Sequence, residues 1–544
     1  MTTSWRRIIP AATIAALALI ATATSIGHDF TFDDRGVILE NERVHSLAHL
    51  PRLFAETYWP ARFGGDGYRP FVMSLFTLQW AAGHGAPWVF HAINILLAIA
   101  TALAVYWCAL AILPPLGAWV AGAFFAVHPV HVEVTGNIVG QSELIVALCV
   151  ALAMGLYIRA RRQGTLRAAL IIAVAALFAV ALLSKEHAIV LPALIVAADL
   201  LVVEGQGWRQ SIRAARPLVL ALSLVAVVYL LARGLVQEDI TGIQPYGVFK
   251  FLHLNAWDRI GTMMTEVPRI GQLLVFPTKL SADYSPTDVS AARGFSPAQL
   301  PGLVICAGAI VLAVSLRRRA PVVSFGLWWL MIAFLPVSNL LVPAGFITAE
   351  RTLFLPSVGV VLLAGAIAVY VSETIGAGQR RIAALALGVV LCAALARSID
   401  RMRVWKNNER FFAALMRDAA NGYRAHYLHA LELQRLSRFA EMEVEYRHAI
   451  RIFPYDAGMN LGVADAYTRA GMCAQAVTLF EWTFNVDPEA GNGRYEYVYC
   501  LARLGRWKDA KREAFTGLSH APPQDIKLLR AAIRDINVAL AAPH

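Results

Sequence analysis

The sequence predicts an all-α fold: a polytopic membrane helical bundle followed by a C-terminal helical-repeat solenoid. Three observations carry this. The 544 residues are 58% hydrophobic and only 16% charged, whereas a soluble domain is about 25% charged. Up to residue 400, long apolar runs alternate with short arginine-bearing loops. After residue 400 the apolar runs stop and a 34-residue period begins, with Pro454, Pro488 and Pro522 in register.

Eleven apolar segments are long enough to cross a bilayer, which takes roughly 17–25 residues. They are 8–26, 88–112, 115–133, 139–160, 167–183, 187–203, 215–235, 301–316, 320–342, 352–372 and 380–399. The first carries a cleavage-like Ala21-Thr22-Ala23. We read it as an uncleaved helix, because the acidic pair Asp33-Asp34 follows at once and needs anchoring. The segment 254–280 contains Asp258, Arg259, Glu266 and Arg269. Each such charge costs about 2.5–3.5 kcal/mol near a helix centre, so this stretch is expected to lie amphipathically on the outer surface.

The arginines set the orientation. With a cytoplasmic N-terminus, Arg6 and Arg7, then Arg159, Arg161, Arg162 and Arg167, then Arg209, Arg213 and Arg216, then Arg317, Arg318 and Arg319, then Arg380 and Arg381 all fall on one side. The opposite, periplasmic or lumenal face then holds the Asp33-Asp34 loop within 27–87, the 236–300 loop, the Ala349-Glu350-Arg351 turn and everything after residue 400. The expected domains are therefore a transmembrane domain over 1–400 and a repeat domain over 401–544.

The net charge is +11, and of 48 basic residues seven are lysine. This arginine-rich balance points to a bacterial inner membrane. The basic residues mark topology. They form no basic face interleaved with aromatics, which excludes nucleic-acid binding. Cys108, Cys149, Cys306 and Cys392 sit in apolar runs and are expected to be small buried hydrophobes. No CxxC or Cys/His spacing suggests zinc, so neither a metal nor a cofactor is expected.

The repeat period is the tetratricopeptide one. Gly471 and Gly505 keep it, as do Ala476 and Ala510, and Tyr446, Phe480 and Ala514, while Tyr467 and Leu501 hold a first-helix core position. The repeats run over about 423–454, 457–488 and 491–522. A degenerate unit is expected at 407–420 and a capping helix at 523–540. Such an array offers a concave groove for an acceptor polypeptide; packing or oligomerisation is the alternative use. Cys473 and Cys500 fall on neighbouring helices and can be a disulfide on an oxidising face or two buried thiols.

The polar motifs share the outer face. Two adjacent carboxylates, Asp33 and Asp34, follow the first span, and ionisable groups at such a level mark function. Tyr68-Arg69-Pro70 opens an amphipathic helix. His128-Pro-Val-His131-Val-Glu133 ends the third span, with Asn137, Gln141 and Glu143 beyond. Ser184-Lys185-Glu186-His187 joins two spans. Asp283-Tyr284-Ser285 follows the surface helix. Leu335-Pro-Val-Ser-Asn339 and Glu350-Arg351, then Leu355-Pro-Ser357, flank the tenth span's start. Arg351 at a helix start opposes the macrodipole and needs an anion, either Glu350 or a phosphate.

Taken in order, these motifs resemble the TMTC family, the transmembrane and tetratricopeptide-repeat-containing protein O-mannosyltransferases, and more broadly the GT-C membrane glycosyltransferases. The resemblance covers the whole chain. Thr352, Phe354 and His187 depart from the family pattern, and the repeats are fewer than in animal members. The resemblance implies a polyprenyl-phosphate sugar as donor, with mannose the expected sugar, and a Ser or Thr hydroxyl of an exported protein as acceptor. Asp33 or Asp34 would be the general base of an inverting displacement. Arg69, Lys185 and Arg351, with His128 or His131, would hold the leaving lipid phosphate. Tyr68, Glu133, Glu186, His187, Asp283, Tyr284, Asn339 and Glu350 would support them. Two alternatives remain at this point: transfer of a sugar to a lipid or envelope glycan, and a non-catalytic scaffold with peptide-binding repeats.

Overall fold

Proline starts many of the helices. Pro70, Pro87, Pro115 and Pro321 each occupy the first turn, where a missing N–H is harmless and the fixed φ is already helical. The computed structural model describes every residue except 1, 61–64, 165, 204–207, 238–253, 286–291, 342, 345, 487, 489 and 542–544. Residues 238–253 and 286–291 of the expected outer loop 236–300 therefore lie outside the described residues. No strand occurs among the described residues.

The first compact unit contains the residues up to Gln244, Ile260–Ala282 and Phe295–Asp418. Its helices are α1 (Thr2–Thr22), α2 (Pro70–Gly83), α3 (Pro87–Ala109), α4 (Pro115–Val127), α5 (Gln141–Arg162), α6 (Ala168–Leu182), α7 (Leu191–Leu201), α8 (Trp208–Gln237), α9 (Ala256–Val275), α10 (Leu300–Leu316), α11 (Pro321–Phe334), α12 (Ser357–Thr374), α13 (Ala377–Met402) and α14 (Asn408–Asp418). The unit runs past residue 400 because Trp405 and Phe411 are buried in it.

Seven described helices are long and apolar enough to cross a membrane, or eight if the bent pair Pro115–Val127 and Pro129–Gly136 is one span. The protein is a multi-pass membrane protein. Each of the eleven expected spans coincides with a helix, but α6, α11 and α7 are too short to qualify by length. The surface segment also forms a helix, α9, which is not among the candidate spans.

Close helix crossings rest on glycine. A Cβ on Gly117 of α4 would lie 2.8 Å from Gly365 O of α12, and one on Gly326 of α11 would lie 2.9 Å from Gly359 O of α12. Small residues let membrane helices approach this closely. Arg161, read above as a topology charge, is ion-paired with Asp199 at 3.0 Å, with both side chains buried. Cys108 and Cys149 are buried as expected, whereas Cys306 is half-buried and Cys392 exposed. These two lie on spans that are mostly unburied within the protein, which offers their side chains the lipid-facing side.

The second unit comprises Pro245–Arg259, which includes the first turn of α9, Asp283–Gly294 and Ala419–His544. Its helices are α15 (Tyr423–Arg435), α16 (Phe439–Ile452), α17 (Ala457–Arg469), α18 (Cys473–Val486), α19 (Arg494–Arg503), α20 (Trp507–His520) and α21 (Pro523–Ala541). They form three helix hairpins whose second helices begin at residues 439, 473 and 507, each 34 after the last. Tyr446, Phe480 and Ala514 are fully buried at equivalent positions, as are Ala476 and Ala510. Cys473 and Cys500 are disulfide-bonded, with Cα atoms 4.9 Å apart.

Candidate active site

The loop carrying the two aspartates is clamped by the turn Arg403–Lys406 after α13 and by the start of α14. Asp29 N–H donates to Lys406 O at 2.9 Å. Thr31 Oγ1 donates to Trp405 O at 3.2 Å, and Phe32 N–H donates to Asn408 Oδ1 at 2.8 Å. The Phe32 ring stacks on Phe411 at 4.7 Å. These contacts hold Phe32 at φ 53°, a conformation costly for a bulky residue and frequent at functional sites. A five-residue π-turn, Arg35–Leu39, follows directly.

The strained turn sends the two carboxylates into different surroundings. Asp34 is fully buried. Its Oδ1 accepts the Val139 N–H at 2.9 Å and its Oδ2 the Thr31 N–H at 3.3 Å. Burial outweighs these donors and pushes its carboxyl up to about 8. Asp33 is half-exposed. Its charge is felt by Arg351 and by the buried Tyr58.

Three cations meet three glutamates nearby. Arg69, just before α2, forks onto Glu186 at 3.2 and 3.4 Å and lies over the Tyr58 ring at 4.6 Å. Lys185 Nζ meets Glu143 Oε1 at 2.5 Å, and His187 Nε2 meets its Oε2 at 3.1 Å. Arg351 donates to Glu133 twice, through Nη1 at 2.5 Å and its backbone N–H at 2.9 Å. The protein anion held by Arg351 is thus Glu133, not its chain neighbour Glu350, which the sequence had offered. The pairs form one electrostatic cluster: Lys185 feels Arg69 and Arg351, and Arg351 feels Glu143 and Asp33. Burial alone would raise Glu186; Arg69 and Lys185 overcome it and hold its carboxyl well below the usual range. A guanidinium has five donors, and Glu186 engages two nitrogens of Arg69 while Glu133 engages one side-chain nitrogen of Arg351. Among the described residues, these contacts leave further guanidinium donors for an anion.

Among curated proteins, this chain is similar to the human protein O-mannosyl-transferase TMTC4, 26% identical over 481 residues, or 78% of this chain and 63% of that one. A Caenorhabditis elegans protein O-mannosyl-transferase, F38B6.6, is 24% identical over 462 residues, or 81% and 62% of the two chains. This chain is similar to the TMTC proteins over about four-fifths of its length. It spans about three-fifths of the length of the curated relatives it matches. No protein-family model matches. Among solved structures, an Archaeoglobus fulgidus oligosaccharyltransferase is 13% identical with a TM-score of 0.42, covering 74% of this chain and 56% of that one.

The other TMTC-like motifs take structural places. Both ring nitrogens of His128 are occupied, Nε2 by Leu274 O at 3.0 Å and Nδ1 by the Val130 N–H at 3.2 Å. Those of His131 meet Phe125 O at 2.9 Å and Ser357 Oγ at 2.8 Å. The two histidines line a small cavity with Ala18, Phe125, Phe354 and Ser398, and none of the paired cations lines it. Tyr68 Oη donates to Phe54 O at 3.0 Å. Asn339, at φ 58°, ties its own loop through Phe346 O and the Ala344 N–H. Glu350 accepts the Ser281 N–H at 2.6 Å. Asp283 and Tyr284 fold with the second unit, where Asp283 Oδ2 accepts the Ser285 N–H at 3.2 Å.

Glu143 and Tyr58 escaped selection as site residues. Glu143 had a signal: it is the one carboxylate of its helix and stands in the first turn, beside Gln141. Tyr58 had none, since it lies in an irregular loop.

Proposed function

We propose that this protein transfers a sugar, mannose by the TMTC resemblance, from a polyprenyl phosphate to a Ser or Thr hydroxyl of an exported polypeptide. Asp33 is the general base. It takes the hydroxyl proton as the oxygen bonds to the anomeric carbon and the carbon–phosphate oxygen bond breaks, with inversion. The lipid phosphate leaves with growing negative charge. Arg69, Lys185 and Arg351 stabilise that charge electrostatically, and no metal is required for a monophosphate met by three cations.

The observation that carries this reading is the clustering of three paired cations with a half-exposed aspartate. The glutamates keep the cations in place, so the site is organised before the donor arrives. Asp34 is assigned to holding the loop, because both its oxygens already accept backbone donors. His128 and His131 are left out of the phosphate-binding set, because all four ring nitrogens have protein partners. The 34-residue hairpins supply the acceptor-binding groove, on the periplasmic or lumenal face.

The test is incubation of purified protein with a labelled polyprenyl-phosphate sugar and a Ser/Thr-rich acceptor protein. Label in protein, lost in Asp33→Asn, is expected. Label appearing only in lipid or glycan, or undiminished transfer by Asp33→Asn, would overturn the proposal.

A further inference from the structure

The first helix hairpin of the second unit carries a cluster that sugar transfer does not use. His426 and His429 lie three apart on α15, and Glu445 and His448 three apart on α16. Residues three apart share a helix face, and the two faces meet. His426 Nδ1 lies 2.6 Å from Glu445 Oε2, and His429 Nδ1 lies 3.6 Å from Glu445 Oε1. The His426 and His448 rings are 5.3 Å apart, edge to face. One donor atom from each of His426, Glu445 and His448 lies within 4.8 Å of the other two.

We infer that His426, Glu445 and His448 form a binding site for a divalent cation of the zinc class, with His429 able to complete the set. Imidazole and carboxylate are the ligands such ions take, at about 2.0–2.2 Å. Tetrahedral donors at that radius lie about 3.3 Å apart, so closure needs only side-chain rotation. His448 is exposed and can make it. A second feature supports the assignment. The far nitrogen of His426, Nε2, meets the Ala420 carbonyl at 3.0 Å. A backbone carbonyl on the outer ring nitrogen fixes the tautomer and aims the other nitrogen inward, as is usual for ligating histidines. The motif is invisible as a linear spacing because its halves come from two helices. A cation there would pin α15 to α16 and rigidify the first hairpin.

The test uses the full-length protein in detergent, with any polyhistidine tag removed and metal stripped by chelator. Zn2+ is titrated in competition with a chromophoric indicator. One tight equivalent is expected above the weak background of the chain's 14 histidines. His448→Ala, at an exposed position, should weaken that equivalent by about tenfold or more, as should Glu445→Gln, while His520→Ala leaves it unchanged. Zn2+ should also raise the thermal unfolding midpoint of the wild type and not of His448→Ala. Equal zinc titrations for wild type, His448→Ala and Glu445→Gln, or no tight equivalent in the wild type, would overturn the inference.

Discussion

Asp34 Oδ1 accepts the Val139 N–H at 2.9 Å, which ties the loop after α1 to the turn that opens α5. The neighbouring Asp33 is left half-exposed and within the field of Arg351. Two adjacent carboxylates thus acquire different work. Asp33→Asn should lower transfer by about 10²–10⁴-fold, the usual contribution of a general base, with the unfolding midpoint unchanged. Asp34→Ala should instead leave two buried N–H groups without acceptors and cost about 1–3 kcal/mol each, read as a lower midpoint.

The raised Asp34 carboxyl makes stability depend on pH. Its folded value of about 8 exceeds the ordinary 3.8, so folding favours the protonated form. The contribution is fully present below pH 3.8 and is lost as pH rises through about 8. The unfolding midpoint of the wild type should therefore fall more between pH 5 and pH 8 than that of Asp34→Asn. Parallel profiles for the two proteins would refute the assignment.

Glu143 holds Lys185 and His187 at once. Removing one partner of a buried pair costs about 3–5 kcal/mol. Glu143→Gln should destabilise the protein on that scale, and the double variant Glu143→Gln with Lys185→Met should recover part of the loss. Thermal unfolding of the wild type and the two variants in one detergent checks this.

Arg69 grips Glu186 with a two-pronged fork that lysine cannot reproduce. Arg69→Lys and Arg351→Lys should each reduce kcat/KM for the lipid-linked donor by roughly ten- to a hundredfold, with little change in the acceptor's KM.

Much of the architecture was legible in the sequence. The spans follow from apolar length, and the repeats from a period that returns Tyr446, Phe480 and Ala514 to one buried position. Side-chain partners were not legible. Nothing linear links Glu133 to Arg351 or Glu143 to Lys185, which meet only after the helices pack. His128 and His131 have the residue type of a phosphate site, yet Leu274, Val130, Phe125 and Ser357 take their nitrogens. The choice between Asp33 and Asp34 was open because burial, not residue type, separates them.

The Cys473–Cys500 bond closes a separation of 27 residues. A bridge of that size contributes about 2–4 kcal/mol. Reductant should lower the midpoint of the wild type and leave a Cys473→Ser, Cys500→Ser variant unaffected. After reduction of intact cells or oriented vesicles, a membrane-impermeant thiol reagent should label these cysteines only from the face opposite the N-terminus.

The most direct measurement is sugar transfer by Asp33→Asn beside the wild type, with labelled polyprenyl-phosphate mannose and a protein acceptor. Label on Ser or Thr of the acceptor is expected with the wild type, and a loss of at least about a hundredfold with the folded variant. Equal transfer by both, or label that never reaches protein, would contradict the proposed function.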